Sequence, residues 1–360
     1  MTGQSIPAIA DLSAEWFTDL LRRTGDLDRD TAVVGVDMET IGEGASMMSE
    51  LARAHLTYDG VTGGPDTLIV KVPTTDEHRL FIAVNTKFYE REVRFYRELA
   101  RDVPVAVPRC LFAEIDSATS QFLLVLEDVG RLRQVDQVAG CGWDDAVTAV
   151  EALADFHAPN WGKDLSHLED TFLPMNGDLN QFVIPMLFGD SWPKMRDQFA
   201  DQMTPAVLEL GDHYLETIPA MLDLMQGPNT LAHLDFRIDN VFFGPNGGLT
   251  LLDFQLCAVS NGVVDVAYFV SQSLRSDLAA ERGLDLLGIY LDRLDTNGVH
   301  FDRDEAHRKY QNGLVFSFVF PVNLLAGDDT LPERGKALAR TMLQRSVAAI
   351  EHARAYELFA

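Results

Sequence analysis

Apolar residues recur at helical spacing from Asp11 to Arg23 (Leu12, Trp16, Leu20), which predicts an amphipathic helix with Asp11 and Ser13 as candidate caps. From 33 to 72 the pattern turns strand-like. "MMSELARAHLTY" and "DTLIVKVP" read as two strands joined by a turn at "DGVTGGP". Residues 85–100 return to helical spacing, and "QFLLVLED" at 121–128 reads as a buried strand. Beyond it helical patterns dominate, at 143–157, 194–225, 264–294, 303–327 and 333–357. One β-rich interruption lies at 231–256. The expected fold class is α+β. A β-rich N-terminal lobe over 1–126 precedes a mainly helical C-terminal lobe over 127–360, joined near Leu126 to Gly130.

The interruption carries the densest polarity. "TLAHLDFRIDNVFF" places His233, Asp235, Asp239 and Asn240 among residues that belong in a core. It is followed by "GPNGG" and "LTLLDF", a hairpin signature with Val241–Phe243 outgoing and Leu249–Leu252 returning. A five-residue turn pairs Phe243 with Leu249 and sets Asn240 beside Leu252. Asn240 and Asp253 then meet at the open end, with Asp235 in the loop leading in. Such a group of oxygen ligands suits a hard cation such as magnesium, and lacks the thiols and paired histidines of a zinc site. Taken singly, Asp235 and Asn240 also suit turn caps, and Asp253 a strand end.

Two buried charges stand out in the first lobe. Glu92 shares a helix face with Phe88, Phe95 and Leu99, and Lys71 sits in the apolar strand "LIVKV". A buried charge needs a partner, and the two answer each other if they pair. The alternative is that Lys71 snorkels from an edge and Glu92 faces a cleft. In "IGEGASMMSEL", Gly42 and Gly44 lie between strands, which suits a loop folded over phosphates or a plain turn.

Composition narrows the classes. The chain has 360 residues with 47% hydrophobic and 23% charged, an ordinary globular balance. The net charge of -26 argues against a nucleic-acid partner. Three scattered cysteines (Cys110, Cys141, Cys257) read as small buried hydrophobes of a reducing compartment. No basic region precedes an apolar run at the N-terminus, so no signal peptide is expected. The longest apolar run, 313–327, is too short to span a bilayer and contains Pro321, so no membrane partner is expected and the location expected is cytoplasmic.

With these residues in place, the chain resembles the protein-kinase-like phosphotransferase superfamily. The order Gly42/Gly44, Lys71, Glu92, His233-Leu234-Asp235 with Asn240, then Asp253-Phe254-Gln255 follows the kinase signature. Within it the chain is similar to the small-molecule branch of aminoglycoside phosphotransferases, choline kinases and the ecdysteroid-kinase-like group. "DFQ", "DVAYFVSQSL" from Asp265, "FYEREVRFYREL" and "LADFHAPNW" carry that likeness over roughly 30–350. Leu234 departs from the glycine usual in the aminoglycoside group.

The resemblance implies a two-lobed kinase fold with ATP in the cleft. It implies that Lys71, held by Glu92, contacts the α- and β-phosphates, with Gly42 and Gly44 over them. The main chain near Glu127 to Val129 would meet the adenine. Asn240 and Asp253 would hold magnesium, and Asp235 would orient and deprotonate the hydroxyl of a small-molecule acceptor. His233 is expected to be scaffold, and Asp265 to cap its helix and brace the loop. Two other classes fit less of the pattern: a nucleotide-binding scaffold without turnover, and a metal-dependent hydrolase that leaves Lys71 and Glu92 unexplained. The acceptor and the oligomeric state have no readable code here; Trp161, Phe182, Trp192 and Tyr268 suit a pocket wall or plain packing.

Overall fold

The computed structural model describes residues 6–41, 48–327 and 331–359. Gly42 and Gly44 therefore lie outside the described residues. The chain divides into two compact units, residues 1–102 with 107–132 and residues 103–106 with 133–360.

In the first unit, α1 (Ala14–Thr24) starts where the Ser13 hydroxyl accepts the Trp16 N–H at 3.2 Å, and stops at Gly25 with φ 81°. Asp11 is not its cap; the Asp11 carboxylate accepts the Ala8 N–H instead. Five antiparallel strands follow: β1 (Val33–Ile41), β2 (Ser49–Tyr58), β3 (Thr67–Pro73), β4 (Cys110–Asp116) and β5 (Gln121–Glu127). Their order is β1-β2-β3-β5-β4. Phe17, Leu20 and Leu21 of α1 pack with Val70, Leu123 and Val125 of the central strands. Strand β4 was not expected from the sequence. None of its residues is fully buried, so it lacks a clean alternation.

The helix expected at 85–100 starts three residues later, at Phe88, and an unexpected helix precedes it. α2 (Glu77–Asn85) ends before Lys87, whose φ of 58° breaks the spiral, and α3 (Phe88–Arg94) begins there. Phe95–Leu99 continues α3 as one wide π-helical turn, closed by Ala100 N–H on Phe95 O at 2.9 Å.

In the second unit, β6 (Arg133–Gln134) and α4 (Trp143–His157) come first. The helix expected at 194–225 is three: α5 (Asp178–Phe199), α6 (Pro205–Asp212) and α7 (Tyr214–Leu224). The break at 204–205 is chemical. Thr204 caps α6 by accepting the Val207 N–H, and Pro205 supplies its first turn. Four short strands follow, β7 (Thr230–Ala232), β8 (Val241–Phe243), β9 (Leu249–Leu251) and β10 (Ala258–Ser260). They form the sheets β6-β8-β9 and β7-β10.

The rest is helical: α8 (Val263–Ser273), α9 (Ser276–Thr296), α10 (Arg303–Ser317), α11 (Val319–Leu325) and α12 (Glu333–His352). Every residue of α8 is buried, and α10 and α12 pack on it. Gly313 allows this: a Cβ there would meet Ala267 Cβ at 2.7 Å and Val264 Cα at 3.2 Å. The apolar run at 313–327 is the end of α10 with α11, and among the described residues no helix is long and apolar enough to cross a membrane.

Candidate active site

The hairpin forms in the expected register. Phe243 pairs with Leu249 and Val241 with Leu251, and Leu252 N–H reaches Asn240 O at 2.9 Å. The loop before it runs from β7 through His233, Leu234 and Asp235 to a 3₁₀ turn at Ile238–Asn240.

The Asp235 carboxylate is buried, and among the described residues three groups approach it. Tyr268 OH donates to Oδ1 at 3.1 Å, Arg237 Nε lies 3.3 Å from Oδ1, and Asn240 Nδ2 donates to Oδ2 at 3.0 Å. Burial raises the Asp235 carboxyl above the usual aspartate range; Arg237 opposes the rise, and the Asp253 carboxylate adds to it. Asp235 in turn holds the Arg237 guanidinium above its ordinary value. Asn240 Nδ2 also donates to the Asp235 carbonyl at 2.9 Å, which commits the amide nitrogen and leaves Oδ1 for another partner.

His233 is fully buried, with Nε2 2.9 Å from the Leu252 carbonyl. A carbonyl can only accept, so Nε2 carries the proton, and Nδ1 accepts the Asp235 N–H at 3.3 Å. Burial lowers the pKa of His233, in keeping with this neutral tautomer. Both ring nitrogens are used in shaping the loop.

Asp265 braces the same loop, and it does not cap its own helix. Its Oδ2 accepts the His233 N–H at 2.6 Å and its Oδ1 the Leu234 N–H at 2.7 Å, while α8 begins at Val263 after Gly262, without a side-chain cap. His157 Nε2 meets Asp265 Oδ2 at 3.1 Å, and His157 Nδ1 lies 2.8 Å from Tyr290 OH. No local pattern signals this His157–Tyr290 support, because its members lie on α4, α8 and α9. Gly262 leaves room for it: a Cβ there would sit 2.5 Å from His157 Nδ1.

The brace holds a strained main chain. Leu234 has φ 60°, a left-handed conformation that glycine takes freely and leucine does not. Asp253, just after β9, has φ 63°, and Gln255 Nε2 donates to its Oδ2 at 3.3 Å. Among the described residues no three His, Cys, Asp or Glu side chains cluster to hold a metal. Magnesium is commonly held by one or two carboxylates with phosphates and water, so an amide oxygen and a carboxylate at the hairpin's end fit it.

In the first unit the structure joins Lys71 and Glu92. Their Nζ and Oε2 lie 2.6 Å apart, both buried. Glu127 closes β5 with its N–H on Arg109 O at 2.8 Å, and the Val129 carbonyl accepts the Leu132 N–H at 2.9 Å. Of the aromatic residues singled out, Tyr268 is buried on Asp235, Trp192 stacks on Phe188, Trp161 packs edge-on against Phe301, and Phe182 is exposed.

Solved structures share this architecture across nearly the whole chain. Aminoglycoside 2′-phosphotransferase-IIIa, in its complex with GDP, matches with a TM-score of 0.55 at 15% identity, covering 92% of this chain and 97% of its own. Choline kinase from Cryptosporidium parvum Iowa II matches with a TM-score of 0.53 at 9% identity, covering 96% and 98%. The gentamicin complex of APH(2″)-IIa matches with a TM-score of 0.52 at 13% identity, covering 94% and 98%. No curated protein matches the sequence. The fold is therefore the protein-kinase-like α+β fold of small-molecule kinases. Residues 43–300 match the model of the ecdysteroid kinase-like family, and the chain belongs to that family.

Proposed function

We propose that the protein transfers the γ-phosphoryl group of ATP to the hydroxyl of a small molecule. The observation that carries this reading is the Asp235 carboxylate, buried and held by Tyr268, Arg237 and Asn240 beside the turn that bears Asp253. Phosphoryl transfer asks a protein for positioning and charge neutralisation more than for covalent help.

In this reading Lys71, fixed by Glu92, meets the α- and β-phosphates, and Gly42 and Gly44 belong to the loop over them. The Glu127 carbonyl and the Val129 N–H meet the adenine, their partner groups being already engaged. Asn240 through Oδ1 and Asp253 through its carboxylate would hold magnesium, which neutralises phosphate charge when bound. Asp235 orients the acceptor hydroxyl and takes its proton. His233 keeps the loop in shape and takes no part in proton transfer. The small molecules in the names of the structural relatives, gentamicin as a bound molecule and choline as a kinase's namesake, support a small hydroxyl compound without selecting one.

The first test is calorimetric titration of ATP, with and without magnesium, on wild type and Asp253→Ala, with GTP as competitor. Binding that needs magnesium and weakens in Asp253→Ala is expected. An ADP-release screen over aminoglycosides, choline and sterol alcohols then seeks the acceptor, and Asp235→Asn should slow transfer to it about a hundredfold or more. Nucleotide binding without transfer to any hydroxyl would favour a scaffold instead. Unchanged transfer by Asp235→Asn would end the assignment of the base.

A further inference from the structure

The two oxygens of Asp235 are not equivalent. Oδ1 has two neighbours, the Tyr268 hydroxyl at 3.1 Å and Arg237 Nε at 3.3 Å. Among the described residues Oδ2 has one, the Asn240 amide at 3.0 Å. A carboxylate oxygen offers about two acceptor sites. Arg237 Nε makes no hydrogen bond at that distance, so each oxygen accepts one. The guanidinium beside Oδ1 disfavours a proton there, however, and Oδ2, which among the described residues meets only a neutral amide, is the oxygen suited to take one.

Tyr268 is built to enforce this difference. It stands on α8, whose residues are all buried, so its backbone cannot drift without repacking the unit. Phe320 meets its ring edge-on at 5.1 Å and 80°, and Phe316 meets Phe320 at 5.8 Å and 85°. The phenol remains a donor, because burial raises its pKa well above the ordinary tyrosine value. On the other side, Arg237 Nη1 reaches Gln137 Oε1 at 3.4 Å, and Arg345 donates to the Gln137 carbonyl at 2.7 Å. Both groups that approach Oδ1 are thus anchored in the helical unit.

We propose that Tyr268 is a positioning residue: with Arg237 it pins Asp235 Oδ1 and leaves Oδ2 as the oxygen that receives the acceptor's proton. This rests on the reading of Asp235 as the base. In the step it serves, the acceptor oxygen forms its bond to the γ-phosphorus as the bond from that phosphorus to the β,γ-bridging oxygen breaks. The hydroxyl proton passes to Oδ2, and ADP leaves with the bridging oxygen. With water as acceptor the same step yields inorganic phosphate. Without the phenol, Asp235 can rotate about χ2, and the basic oxygen is no longer fixed. A misplacement of about 1 Å at a reacting group costs on the order of a hundredfold in rate.

The test uses the full-length protein and Mg·ATP with water as acceptor, read as ADP release with enzyme in excess. Tyr268→Phe keeps the ring and removes only the hydroxyl. Its maximal rate is expected to fall about tenfold to a hundredfold, with half-saturation by Mg·ATP and calorimetric Mg·ATP binding unchanged. Arg237→Lys, which withdraws Nε from Oδ1, should show the same split and guards against a folding defect in one variant. A tyrosine that merely packs would leave the rate alone, or would shift rate and binding together with the urea midpoint; either result overturns the proposal. ADP release absent in wild type also overturns it, because a poised Oδ2 would activate water. Asp235→Asn separates the two levels. If it abolishes ADP release while Tyr268→Phe keeps the wild-type rate, the positioning role fails and the base stands. If it releases ADP like wild type, the reading of Asp235 itself fails.

Discussion

Asp265→Asn isolates the brace under the loop. The native carboxylate accepts two main-chain N–H groups and one imidazole, all fully buried, at 2.6, 2.7 and 3.1 Å. Asparagine keeps one oxygen. If that oxygen stays with His233 and His157, the new amide nitrogen faces the Leu234 N–H, donor against donor. Stranding a buried N–H costs about 1–3 kcal/mol, and hydrogen bonds to a charged acceptor are worth about 1.5–3 kcal/mol each. The main chain at Leu234 adds to the cost, since its left-handed φ of 60° is held by the bond that is lost. A destabilisation of about 3–4 kcal/mol follows.

Urea unfolding followed by tryptophan fluorescence reads this, because Trp143, Trp161 and Trp192 all lie in the helical unit. With a slope of about 3 kcal/mol per molar urea, the midpoint of that unit's transition should drop by roughly 1 M. Tyr290→Phe, which removes only the hydroxyl 2.8 Å from His157 Nδ1, should cost about 1 kcal/mol in the same assay. A midpoint for Asp265→Asn within about 0.3 M of wild type would refute the reasoning, since it would mean that the loop holds its shape without the carboxylate.

Glu92→Gln removes the carboxylate from a buried pair and should cost about 3–5 kcal/mol in the first unit's urea transition, with weaker Mg·ATP binding by calorimetry. The Asp26 carboxyl is held below its usual range first by its hydrogen bond to Arg109, so the stability it contributes is complete above the unfolded aspartate pKa and is lost as pH falls through the lower folded value. Asp26→Asn should therefore narrow the gap between urea midpoints measured at pH 7 and at about pH 3. Cys141 and Cys257 are fully buried, and burial pushes the Cys141 thiol up to about 12, so a thiol reagent at pH 8 should label both only after denaturant is added.

Much of the site was legible because its polarity conflicts with its apolar setting. Lys71 in "LIVKV" and Glu92 on an apolar helix face announce a buried pair by chemistry alone, and the pair forms at 2.6 Å. A turn of fixed length in "VFFGPNGGLTLL" sets the hairpin register, which places Asn240 against Leu252. What was hidden depends on tertiary distance. Tyr268, His157 and Tyr290 look like ordinary core residues in their helices, and only the packing of α8 against the loop gives their polar atoms work. Arg237 lay in plain sight inside "HLDFRIDN", yet an arginine two residues after a carboxylate says nothing of where its guanidinium turns. Helix ends failed where local chemistry overrode periodicity, at Lys87 and at Thr204-Pro205. In α5 the reverse occurs, since Pro185 and Pro193 lie inside a continuous helix that their presence argues against.

The grip of Asp265 on two amide protons also turns the loop into its own reporter. The N–H groups of His233 and Leu234 are buried and bound to a carboxylate that is itself wholly enclosed. They can trade hydrogen for deuterium only when the loop parts from α8, an opening that dismantles the setting of Asp235 and its supports together. Their exchange rates therefore measure how often the loop that carries Asp235 is assembled. The measurement needs neither nucleotide nor acceptor, and a compound that slows exchange at these two amides would mark itself as a ligand of this loop before any product is identified.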